Sequence, residues 1–577
     1  MQDVSSYAAE PPFAGISARE TARSALVWVW AIGFAVLMAA PVFAIVYGSF
    51  EVPVPGSDAT RWGLDGWRDL LGNSRILKAV GNTLWLTVVA QAFALPIGLF
   101  AAWLLGRTDL PFRRTFEFCF WISFFLPSLA VLQGWILVAD PHYGIANSLI
   151  NRLFGTSSPV FDIYSFGGIV FAHLVTTTVS AKVMMLTPAF QNMDSRMEEA
   201  ARVAGDSQFG VFCRVTVPVL APTIVVTAIM GIIRSLESFE IELVLGGPRR
   251  IDVYNTLIYD FTRNDPVNYA AACALGIVVI FAMIGLVLVS LKAGRTGRSV
   301  TLSGQSKLTR IALGRWRIPA ALLVGLVAAV LTIVPLGFLV VSSAMTMFGF
   351  FSLPTVWTSR HWDSVLSDPV FLDSVVNTLI LSGFGAALCV IFSIMVAYSI
   401  VRSRHAARFV VDLASWIPFT MPGVLFSLAM LWLILGSGLT SLYGSTASLV
   451  ITIAVASITL GVQLIRGNLT QISRELEEAS WIGGASNWET ILRIVLPLSI
   501  RSIAVVAVMS FIAAARDVSH LALLVSSDNR PLSILQLEYM LEGRSEASAV
   551  VGVIIVSITI LAAILARALG SKFEAKA

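Results

Sequence analysis

Charge is scarce in this chain. Asp, Glu, Lys and Arg make up only 13% of 577 residues, while 56% are hydrophobic and the mean hydropathy is +0.82. A soluble domain carries roughly a quarter charged residues, so a water-soluble globular fold is excluded and the lipid bilayer is the implied medium. Cysteine is equally thin: Cys119, Cys213, Cys273 and Cys389 stand apart, with no CxxC spacing and no pair in one predicted outer loop. That pattern suggests neither a disulfide framework nor a cysteine-based metal site. The five histidines are dispersed and no HExxH occurs, so no metal site and no membrane-bound metalloenzyme is expected. The chain also lacks any Gly-Lys dipeptide. A GxxxxGK[ST] phosphate loop is therefore absent, and the chain is expected to be no enzyme and to carry no cofactor. The formal charge of +4 does not point to nucleic acid, because the basic residues are placed by topology.

What is present is long apolar runs. A spanning helix needs roughly 20 apolar residues, and 25–48 supplies them; the run is too long for a signal-peptide core. Further runs lie near 80–105, 116–139, 166–186, 217–236 and 269–291, then near 318–344, 375–400, 412–435, 446–466, 495–514 and 548–568. Backbone groups in lipid must be paired within the segment, so these runs are predicted as helices rather than barrel strands. The expected fold is an all-α integral membrane protein of about twelve transmembrane helices.

Lys and Arg accumulate in cytoplasmic loops. The loop 106–115 holds Arg107, Arg113 and Arg114; 401–411 holds Arg402, Arg404 and Arg408; 292–317 holds Lys292, Arg295, Arg298, Lys307, Arg310, Arg315 and Arg317 without an acid. The loops 140–165, 345–374 and 436–445 hold only Arg152 and Arg360. Both termini are thus predicted inside. The outer loop 49–79 is discordant, with Arg61, Arg68, Arg75 and Lys78 set against Glu51, Asp58, Asp65 and Asp69.

The chain is one sequence written twice. Glu198, Glu199, Ala200, Gly205, Arg214 and Pro218 recur at a constant offset as Glu477, Glu478, Ala479, Gly484, Arg493 and Pro497. Upstream, Asn82-Thr83-Leu84 recurs as Asn377-Thr378-Leu379, and Trp121-Ile122 with Pro127 as Trp416-Ile417 with Pro422. Such self-similarity divides the chain into a first half, 1–291, a basic linker, 292–317, and a second half, 318–577. Six spans per half make the repeats parallel, related by an axis along the membrane normal. Each repeated loop, 194–214 and 473–493, reads as a helix, a glycine turn and a second helix ending before a proline that starts the next span. A single copy would read as a solvated connector; two matched copies point to a docking surface.

The pattern EAA, three residues, Gly, nine residues, then Ile-x-Leu-Pro resembles the signature of permease subunits of binding-protein-dependent ABC importers. The chain carries it at Glu199-Ala200-Ala201, Gly205 and Val215 to Pro218, and again at Glu478-Ala479-Ser480, Gly484 and Ile494 to Pro497. Two halves in one polypeptide, with LESFEIELVLGGP at 236–248 and AARDVSHLALLVSS at 514–527, resemble the fused ferric-iron-type permeases. The resemblance implies a type I importer architecture in a bacterial inner membrane, and coupling helices at 194–214 and 473–493 seated on a separate ABC ATPase dimer. It also implies a periplasmic or lipid-anchored solute-binding protein outside and ferric iron as cargo. Polyamine, thiamine, phosphonate and sulfate are alternative cargoes. An ion-gradient-driven transporter would match the span count but not the doubled loop.

A second region follows the fifth span of each half. Glu237, Glu240 and Glu242 cluster in the first; Arg516, Asp517 and His520 occupy the second, with Glu237 matched to Arg516. If the helix from 217 runs on to Leu245, these groups sit within the outer half of the bilayer, where ionisable side chains face a cavity or each other. The expectation is a Glu237–Arg516 ion pair joining the halves, with Glu240, Asp517 and His520 as a hydrophilic lining for the substrate.

Overall fold

The computed structural model describes residues 18–53, 60–155, 158–263, 265, 267–296 and 310–574. Arg298 and Lys307 of the basic linker lie outside them. Among the described residues ten helices are long and apolar enough to cross a membrane: Val27–Gly48, Ser74–Arg107, Phe166–Gln191, Gln208–Leu236 and Tyr269–Gly294, then Gly314–Ala344, Pro369–Arg402, Thr446–Leu469, Trp488–Arg516 and Ser545–Leu565. The third and ninth spans differ from the single straight helices expected at 116–139 and 412–435. They are bent pairs, Arg113–Phe125 with Ser128–Ala139 at 104°, and Arg408–Thr420 with Gly423–Gly436 at 111°. Pro127 and Pro422 cause the break: each forces the residue before it out of the helical region. Leu126 is accordingly extended at ψ 140° and Met421 at ψ 121°.

Within each half, the second, fourth and fifth spans pack together and the fifth packs on the sixth. The first span of each half crosses over. Val27–Gly48 lies against the bent ninth span, and Gly314–Ala344 against the bent third. Glycine makes the crossing close, as in other membrane helix contacts: a Cβ on Gly134 would sit 2.2 Å from the Pro335 carbonyl oxygen, and one on Gly48 would sit 2.1 Å from the Trp432 ring. The arms Ser128–Ala139 and Gly423–Gly436 are largely buried within the protein.

The basic loops 106–115 and 401–411 share one face with the repeated loops 194–214 and 473–493, to which their arginines bind. The end of the linker joins the same face, where Ile311 pairs with Thr108 and Leu313 N–H donates to Asp109. The opposite face carries the ribbon Glu51–Pro53 with Thr60–Trp62. Three of the four discordant cations of that loop are neutralised locally. Arg61 and Arg68 pair with Asp65, and Arg75 lies 2.8 Å from Asp252 and 2.7 Å from Asp260.

Candidate functional site: the twin loops and the break of the fifth span

The repeated loop begins with the short helix Arg196–Val203, turns at Gly205 and resumes at Gln208. Gly205 has φ +94° and its counterpart Gly484 φ +86°, a region that a Cβ makes costly. The second helix does not stop before Pro218, as the sequence pattern suggested. It continues to Leu236 as one rod, and Trp488 likewise continues to Arg516. A π-helical turn makes this possible, at Phe212–Thr216 two residues before Pro218 and at Ile491–Val495 two residues before Pro497. The wider turn relieves the clash of the proline ring with the preceding turn and the loss of its amide donor.

The two glutamates of each pair have different roles. Glu198 and Glu477 are buried, at 2% and 0% exposure, while Glu199 and Glu478 are exposed. Glu198 forms an ion pair with the fully buried Arg107 and accepts from the Thr216 hydroxyl at 2.8 Å; Arg107 also donates to the Met193 carbonyl at 3.1 Å. In the second half Arg402 Nε lies 2.6 Å from Glu477, Tyr398 donates to the same carboxylate at 3.1 Å, and Arg402 donates to the Ile472 carbonyl at 3.0 Å. Arg107 and Arg402 are the last residues of the second and eighth spans. Sequence reading counted them only as topological cations; their recurrence at the repeat offset was the available signal. Ser480, the departure from alanine, bonds Thr490 at 3.0 Å, replacing the apolar contact available to Ala201 and Val211.

Three matched apolar side chains on each loop are uncovered: Val203 and Ile482 at 90% and 88% exposure, Phe209 and Trp488 at 77% and 68%, and Met197 and Leu476 at 46% and 48%. Ala200, Ala479, Gly205, Gly484, Arg214, Arg493, Pro218 and Pro497 are exposed as well. Arg214 pairs with Asp206 at 2.9 Å.

At the far end of the fifth span the structure corrects two expectations. The helix from 217 does not reach Leu245; it ends at Leu236 and restarts as Glu240–Gly246. Nor do Glu237 and Arg516 pair. Glu237 binds Arg234 of its own helix at 3.0 Å. Arg516 donates to the carbonyls of Phe124 and Leu126, each at 3.0 Å. Those carbonyls are left without helical partners by the Pro127 break, and a guanidinium with several donors satisfies both. At the matched break of the ninth span, Arg234 lies over the Phe419 ring at 5.9 Å. Each bent span is therefore held by an arginine from the other half.

Glu240, Asp517 and His520 are partly exposed. Asp517 accepts from the His520 ring at 2.8 Å, and Ser519 of the second half lies 3.5 Å from Glu240 of the first. Glu242 departs from its neighbours: it is buried, 2.7 Å from His173, and accepts from Ser238 at 2.8 Å. Sequence reading missed Lys182, which is 1% exposed in the middle of the fourth span and bonds the Thr178 carbonyl at 3.3 Å. It is the lone lysine of that apolar run, which was its signal. Among the described residues no group of three or more His, Cys, Asp or Glu could hold a metal ion.

The profile of the binding-protein-dependent transport system inner membrane component family matches residues 94–293 and again 389–575. The chain belongs to this family, as a fused pair of its domains. It is a multi-pass membrane protein and a transport subunit of an ABC importer, and the ion-gradient alternative is set aside. A Haemophilus influenzae protein named as a ferric transport system permease is 26% identical over 80% of this chain and 72% of its own length. The ferric transport system permease protein of Actinobacillus pleuropneumoniae is 25% identical over 84% of this chain and 70% of its own. The sulfate transport system permease protein of Escherichia coli is 27% identical, over 40% of this chain and 82% of its own.

Proposed function

We propose that this chain is the translocation subunit of a ferric-iron importer of a bacterial inner membrane. Its basic face is cytoplasmic, as are both termini, and a dimer of separate ATPase subunits docks there on the loops 194–214 and 473–493. A binding protein, periplasmic or lipid-anchored, delivers the cargo to the opposite face. The observation that carries the docking is the uncovered apolar triad, repeated at matched positions of both loops on that one face. Exposed large apolar side chains that recur in register mark a contact surface. Neither loop carries a phosphate loop, so ATP hydrolysis belongs to the partner.

Force applied to a loop has two stiff outlets. The buried arginine–glutamate pair ties the loop to the end of the second or eighth span. The rods Gln208–Leu236 and Trp488–Arg516, each about 43 Å long at 1.5 Å per residue, run from the loop to Glu237 and to Arg516. A shift of either rod displaces the arginines that hold the bent spans, which is how loop movement opens a path between the halves. Glu240, Asp517 and His520 line that path. Carboxylates are hard oxygen donors that suit ferric iron, and their small number keeps transit contacts weak enough for release.

Proteoliposomes holding this chain, its ATPase and its binding protein are expected to take up radiolabelled ferric iron in an ATP-dependent manner and to exclude sulfate. ATP-driven sulfate uptake without iron uptake would replace the cargo while leaving the docking intact. In the same vesicles, Glu240→Gln combined with Asp517→Asn is expected to lower iron uptake by roughly tenfold, because it removes the charges that offset desolvation of the cation. Unchanged uptake at equal protein abundance would remove these residues from the path.

A further inference from the structure

A groove of about 990 Å³ lies on the basic face of the second half. Its floor is apolar and belongs to the spans: Val27 and Trp30 of the first span face Ile394 and Met395 of the eighth. Its mouth is the loop between the eighth and ninth spans, with Arg404, His405 and Arg408, and the repeated loop closes one side with Trp481 and Trp488. No Asp or Glu lines it. Two of its four arginines are committed, Arg402 to Glu477 and Arg474 to Glu478 at 3.2 Å. Arg404 and Arg408 have no carboxylate within ion-pair distance among the described residues; Arg404 is exposed, and Arg408 donates to the Ser403 carbonyl at 3.3 Å and lies over the Phe409 ring at 5.1 Å.

The matched place in the first half is built differently. There the chain itself lies across the loop: Ile311 N–H donates to the Arg107 carbonyl at 2.8 Å, Asp109 N–H donates back to Ile311 at 3.1 Å, and Ile311 is 5% exposed. Asp109 stands where the second half has Arg404, and it lies 3.8 Å from Arg317. The linker therefore covers part of the first loop and leaves beside it a smaller pocket of about 360 Å³ lined by Arg113, Arg114 and Arg310, whereas the groove of the second half has no such cover among the described residues, is cationic at its mouth and continues into an apolar depth.

We propose that this groove seats one anionic phospholipid, its phosphate on Arg404 and Arg408 and an acyl chain running between the first and eighth spans. Basic side chains at the membrane surface bind anionic headgroups, and the apolar floor lies at the level of the spans, where an acyl chain is already present. The competing occupant is the segment 1–17, outside the described residues. The first helix begins at Ala18, nine residues before Val27, so the point at which that segment joins the helix is about 13 Å along the helix from the floor. A lipid seated here touches the second docking loop through Trp481 and Trp488.

Native mass spectrometry of the full chain, equilibrated with phosphatidylglycerol and phosphatidylcholine of matched acyl chains, tests the assignment without relying on transport. One phosphatidylglycerol is expected to survive delipidation that removes phosphatidylcholine. Arg404→Gln with Arg408→Gln is expected to weaken its retention by roughly tenfold, whereas Arg113→Gln, at the position matched to Arg408, leaves it unchanged. Equal retention of both lipids, or unaltered retention in the double variant, would overturn the proposal. Displacement by millimolar inorganic phosphate would reassign the arginines to a free anion, and lipid retention that appears only after deletion of residues 1–17 would assign the groove to that segment.

Discussion

A chain carrying Phe209→Asp and Trp488→Asp is expected to insert and fold normally, yet to capture no ATPase and to import nothing. Both rings are mostly exposed, at 77% and 68%, so removing them takes little from the core of the permease. Covering each ring in a partner's groove is worth about 1.5–3 kcal/mol. A charge in an apolar contact adds a desolvation cost on top of that loss. Together the changes weaken association by about a thousandfold or more. Either substitution alone leaves one intact docking loop and so a partial complex. Affinity capture of the cognate ATPase, with permease abundance measured alongside, reads the outcome. Full capture by the double variant would show that the ATPase sits elsewhere.

Glu198→Ala is expected to act by a different route, through stability rather than contact. It strands the Arg107 guanidinium, which is 0% exposed, without its carboxylate. Breaking a buried pair from one side costs about 3–5 kcal/mol, whereas replacing both partners by apolar groups is far milder. The thermal midpoint in detergent should fall sharply and the loop 194–214 should become open to protease. Glu199→Ala, one residue away and exposed, should change neither. Arg107→Met added to Glu198→Ala should recover part of the lost stability. Equal midpoints for the two single glutamate variants would mean that the pair does not hold the loop down.

The contrast between adjacent glutamates shows where sequence reading stops. Both occur in both halves at the same offset, and nothing in the local pattern ranks them. Burial separates them, and burial depends on where Arg107 lies in space, far upstream in the chain. The same limit explains Glu237 and Arg516. Their alignment by the repeat and their opposite charges made an ion pair the natural expectation. The structure instead has Arg516 on two carbonyls freed by the Pro127 break. An orphaned helix carbonyl is a strong acceptor, but it exists only because the third span is bent, and hydropathy does not distinguish a bent span from a straight one.

Sequence by itself determined the solvent, the helical class, the repeat and the turn glycines. Each of these follows from a local quantity: apolar run length against bilayer thickness, an offset between matching residues, or a backbone angle that only glycine adopts freely. Only the tertiary structure decided that the first span of each half packs on the other half, that a proline-bent pair forms the third span of each half, and which glutamate is buried. It also decided that the end of the linker lies across one of the two matched loops and leaves its twin uncovered. Those are relations between segments far apart in the chain, set by packing and by the pairing of buried charges, and no single stretch of residues contains them.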